Sequence, residues 1–95
     1  MALRPPVNFE GAYLNPKTGL SYPYAGTAVV VVDTQGRESM HVRGSVRRGN
    51  REKPVVVLGL VDRQQSFVGR EQQAAADCLV QRFEQQQGDF ALTEY

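Results

Sequence analysis

The sequence predicts an α+β fold: an antiparallel meander sheet of about five strands, the N-terminal hairpin included, with one C-terminal helix packed on one of its faces. Three observations carry this. Thr27-Ala28-Val29-Val30-Val31-Val32-Asp33 is a β-branched run, poor helix material and good sheet material. From Glu38 to Val46 the pattern alternates, with Met40, Val42 and Val46 on one side and His41, Arg43, Ser45 and Arg47 on the other. Late in the chain, Ala75, Cys78, Leu79 and Phe83 fall at i, i+3, i+4 and i+8, which is one face of a helix.

Each element follows from local chemistry. Asn15-Pro16-Lys17-Thr18-Gly19 signals the first hairpin. Proline presets the turn's backbone angle and glycine supplies its left-handed residue. Its arms are expected over 9–14 and 20–24. Pro23 lacks a backbone donor, so the second arm should be an edge strand or end there. The strand 27–33 follows, then a short turn at Thr34-Gln35-Gly36 and the alternating strand 38–46. Arg47-Arg48-Gly49-Asn50-Arg51-Glu52-Lys53 reads as a polar loop, with Gly49-Asn50 suited to a turn. Pro54 to Val61 reads as a strand that is apolar on both faces, and Gly59 hints at a bulge. The helix is expected over about 67–87, with Ser66 as N-cap and Gly88 as C-cap. Gly69 is its weak spot, costing about 1 kcal/mol against alanine, so Arg70 is the other candidate start. Residues 89–95 could add a short strand or a tail.

With 95 residues the chain is expected to be a single domain, with flexible ends at 1–8 and 89–95. Its net charge of +1 imposes no overall field that would dictate a partner. That near-neutrality hides a basic middle. Residues 37–53 carry Arg37, Arg43, Arg47, Arg48, Arg51 and Lys53 against Glu38 and Glu52, a local +4. Residues 62–95 carry Arg63, Arg70 and Arg82 against six carboxylates, a local −3. The longest apolar stretch, 54–61, is far short of a membrane span, so no membrane partner is expected. No apolar leader segment is visible at the N-terminus, which gives a cytoplasmic expectation.

No phosphate-binding glycine loop and no H-E-x-x-H motif occurs. A lone cysteine excludes an internal disulfide and a cysteine-based zinc site. His41 has no second His or Cys nearby and reads as a surface strand residue; Cys78, in mid-helix among apolar positions, reads as a small core hydrophobe. Neither an enzyme nor a cofactor or metal is expected.

What remains is binding. Arg43, Arg47, Arg48, Arg51 and Lys53 are expected on the wet side of a strand and its following loop, where arginine forks suit phosphate oxygens. Tyr13, Tyr22 and Tyr24 in the first hairpin are candidate stacking platforms for unpaired bases, or else a small core. The first expectation is therefore a module for single-stranded or exposed nucleic acid. The alternative is a protein–protein adaptor or inhibitor that docks on an acidic partner protein through the same loop or the helix. A helix with one apolar stripe covers one face of the sheet only. The Val-rich rows on the other face need the first hairpin curled over them, as in a barrel, or a second copy of the chain; a homodimer is expected.

Overall fold

The computed structural model describes residues 2–86. They form strands β1 (Ala2–Leu3), β2 (Val7–Leu14), β3 (Ser21–Val32), β4 (Glu38–Arg48) and β5 (Arg51–Leu60), then helix α1 (Glu71–Gln85). Every strand pairing is antiparallel. β1 and β2 lie end to end along one side of β3, β1 against Val31 and Val32 and β2 against 21–28. The break between them falls at Arg4-Pro5-Pro6, where two prolines lack the N–H a ladder needs. The sheet is thus four strands wide, with β1 and β2 sharing one edge and β5 forming the other. This matches the expected meander with a C-terminal helix on one face.

Several boundaries differ from the sequence expectation. The segments 20–24 and 27–33 are one twelve-residue strand, β3. Pro23 sits inside it opposite Ala12, yet the ladder to β4 stops one residue away at Tyr24 and Val46, so β3 is locally an edge at Pro23. The first hairpin does not curl over the sheet: it lies in the sheet plane as β2 and the start of β3. Of the N-terminal segment, Ala2 and Leu3 pair with β3 as β1, Val7 and Asn8 begin β2, and between them Arg4 N–H donates to the Val30 carbonyl at 3.1 Å.

The helix starts at Glu71, after a turn, because Gly69 adopts φ +76°, a left-handed conformation that no helical residue holds. Phe67, expected in its first turn, is a loop residue driven into the core at 1% exposure. Ser66 does not cap the helix; its hydroxyl accepts from Val68 N–H within that turn. The Gly88 cap and the strand or tail at 89–95 lie outside the described residues. Gly59 stands at φ +77° where the β4–β5 register shifts between Met40 and Val42, as its place in the strand suggested.

Register decides which side chains share a face. Ala28 lies opposite Val42 and Val42 opposite Val57, while Val30 lies opposite Met40. All five are buried beneath α1 together with Phe9, Tyr13, Tyr22, Val46 and Val55. The helix lays Ala75, Cys78, Leu79 and Phe83 on them. Gly26 and Gly44 face each other in the middle of this layer. A Cβ on Gly44 would stand 2.7 Å from Leu79 Cδ1 and 2.5 Å from the Ala25 carbonyl; one on Gly26 would stand 2.7 Å from Phe9 Cζ. The paired glycines make the notch that lets Leu79 and Phe9 reach the sheet.

Candidate binding surface

The face of the sheet opposite α1 carries no layer of secondary structure among the described residues. The alternation that buries Met40, Val42 and Val46 sends Ser39, His41, Arg43, Ser45 and Arg47 to this open side. Their cross-strand neighbours share it: Leu3 and Val31 beside Ser39, Val29 beside His41, Thr27 and Val56 on either side of Arg43. Leu3 and Leu58 are 71% and 70% exposed and Val56 42%, while Val29 and Val31 are half-buried by their neighbours alone. The open side thus has an apolar end around Leu3, Val31 and Leu58 and a polar end around Arg47, Glu52 and Glu10.

The expected basic cluster is divided by the same alternation. The loop over 47–53 is a tight hairpin: only Gly49, at φ +59°, and Asn50 are turn residues, and Arg48 pairs with Arg51 across it. The cations therefore stand on rigid strands and point to both sides. Arg43 and Arg47 are exposed on the open side and make no ion pair among the described residues. Arg48, Arg51 and Lys53 stand on the helix side, and none of them is free. Lys53 Nζ donates to the Gln86 carbonyl at 3.3 Å and lies 5.8 Å from the centre of the Phe83 ring.

The tyrosines correct the expectation of stacking platforms. Tyr13 and Tyr22 are core residues at 7% and 2% exposure, and each packs edge-on to Phe83, with ring centres 5.3 and 6.3 Å away. A ring so enclosed has no face to offer a base. Tyr24 is half-buried and lies over Gly11, filling the space a side chain would take there. The physical reason is register: residues 22 and 24 share the side of Ala28 and Val30, which the helix covers.

His41 is half-buried on the open side. Cys78 is in the core, where burial pushes its thiol above the ordinary value and Arg82 opposes this only in part. Among the described residues no three His, Cys, Asp or Glu side chains come together as a ligand set for a metal ion. Among the described residues, one open cleft of about 720 Å³ runs along α1 and β2 and another of about 1040 Å³ lies beside Glu38 and Asp62, and neither is lined by His41 or Cys78. No helix among the described residues is long and apolar enough to cross a membrane.

One polar centre was not foreseen. Glu38 opens β4, and its carboxylate accepts from Phe67 N–H at 2.7 Å, from the Ser66 hydroxyl at 3.0 Å and from the Arg4 guanidinium. The Phe67 N–H holds its carboxyl below the ordinary range, helped by Arg4 and Ser66 and opposed by burial. Nothing in the local sequence marks it, because its partners lie 28 to 34 residues away. Compared with protein families, curated proteins and solved structures, the chain matches none of them.

Proposed function

We propose that this is a non-enzymatic protein-interaction module whose open sheet face docks on a second copy of the same chain. The carrying observation is a sheet covered on one side only, with Leu3, Val56 and Leu58 in water on the other. The area supports a like-sized partner. Four strands about 4.8 Å apart, each of about ten residues at about 3.3 Å, present roughly 600 Å² in projection. Corrugation raises the accessible area toward the roughly 800 Å² per partner of a standard interface. Burying apolar surface yields about 25 cal/mol per Å², so the Val- and Leu-rich end supplies the drive.

The test is the solution mass by light scattering at micromolar concentration. Wild-type protein is expected at the mass of two chains. Leu58→Lys, a change at an exposed position that leaves the core alone, is expected at one. A one-chain mass for the wild type refutes the proposal.

A second reading is binding of single-stranded or exposed nucleic acid through Arg43 and Arg47, favoured by their exposure on one face. Its magnitude counts against it. Two arginines neutralise about two phosphates, which gives a log–log salt slope of only about −1.4 on a single strand. Oligonucleotide binding titrated with salt distinguishes the readings: binding with a slope of about −1.4 that Arg43→Glu abolishes would favour nucleic acid, and no binding at low salt would remove it.

A further inference from the structure

We infer that the two copies pack sheet to sheet about a two-fold axis running along the strands, with Arg43 of each copy paired to Glu10 of the other. This rests on the homodimer reading and specifies its geometry.

Arg43 stands in the middle of the open side, between Thr27 on β3 and Val56 on β5. Its neighbours on that side include no carboxylate, whereas Arg47 has Glu52 directly across from it. A docked layer would take the Arg43 guanidinium out of water, and a buried charge is tolerated only when paired. The partner surface must therefore bring a carboxylate to this spot.

The open side itself has one to give. Glu10 lies opposite Ala25, and Ala25 opposite Ser45, so Glu10 falls on the cross-sheet row between Arg43 and Arg47. Within one copy it sits two strands away from β4, about 10 Å, and both side chains stand out from the sheet side by side rather than toward each other. A two-fold along the strands exchanges left and right. It lays β2 of the second copy over β5 of the first, which brings Glu10 beside β4 and between its two arginines. A two-fold across the strands and centred on this row would instead set Arg43 against Arg47 and Glu10 against Glu10. Packed sheets lie about 10 Å apart, a gap that an arginine and a glutamate bridge together. In a symmetric interface the pair forms twice, so charge is balanced at both places.

The test is a charge swap read as the dimer dissociation constant by sedimentation. Arg43→Glu and Glu10→Arg are each expected to weaken the dimer about tenfold or more, and the double variant to restore it to within about threefold. Both positions are exposed, and an unchanged melting curve separates loss of association from loss of fold. If wild type is a dimer and Arg43→Glu associates as well as wild type, or the double variant shows no rescue, this geometry is wrong. If wild type is a single chain at every concentration, the homodimer reading itself fails.

Discussion

The carboxylate of Glu38, the first residue of β4, accepts the backbone N–H of Phe67 at 2.7 Å and so ties the sheet to the loop that leads into α1. Arg4 on the N-terminal edge reaches the same carboxylate. One side chain therefore joins three segments far apart in sequence. Glu38→Ala leaves the Phe67 N–H and the Arg4 guanidinium without this acceptor. It is expected to cost about 1–3 kcal/mol in urea unfolding, with Glu38→Gln costing less.

The same contact predicts an acid-sensitive fold. The Phe67 N–H holds the folded-state pKa of Glu38 below its ordinary value of 4.5. A depressed carboxyl pKa gives stability that is complete above the unfolded value and is lost as pH falls through the folded one. Thermal stability is thus expected to fall as pH drops below about 4.5, and Glu38→Gln to flatten that fall. An identical pH profile in the variant would contradict this.

Gly44→Ala is expected to destabilise the protein by about 2 kcal/mol or more. The added methyl would meet the Ala25 carbonyl at 2.5 Å and Leu79 at 2.7 Å, and the carbonyl is backbone that has little room to move. Chemical denaturation measures it; a neutral result would mean that the sheet and helix are not this close.

Gly69→Ala separates two accounts by sign. If residue 69 belonged to the helix, alanine would stabilise by about 1 kcal/mol. At φ +76° alanine is strained, so a lowered melting temperature is expected instead.

Tyr22→Ala is expected to cost about 3–5 kcal/mol of stability, the order found for large aromatic side chains removed from a core. Tyr22 is 2% exposed against Phe83, so the loss should appear as unfolding rather than as a defect in a folded protein.

Periodicity made the layers legible. The alternation of Met40, Val42 and Val46 and the stripe of Ala75, Cys78, Leu79 and Phe83 mark the two surfaces that meet, and both are buried as the pattern implies. Composition alone did not show that the cations divide between two sides of the sheet. A run of arginines looks like a patch in sequence, but in a strand alternate residues leave on opposite sides, so Arg47 and Arg48 part company. Extending the period of two through Arg48 and across the Gly49-Asn50 turn would have revealed the division. The hairpin tyrosines were ambiguous for a different reason. Which side of a hairpin the helix covers depends on its register with the next strand, and local sequence does not encode that. Glu38 and the Gly26–Gly44 notch were illegible because their meaning lies wholly in partners distant along the chain.

The proposed homodimer puts the uncovered side of the sheet between two copies of this chain. Sedimentation equilibrium of the unaltered protein, over a concentration series that brackets the micromolar range, tests it most directly. A mass of two chains is expected at the upper end, falling reversibly toward one on dilution. A mass of one chain at every concentration would contradict it.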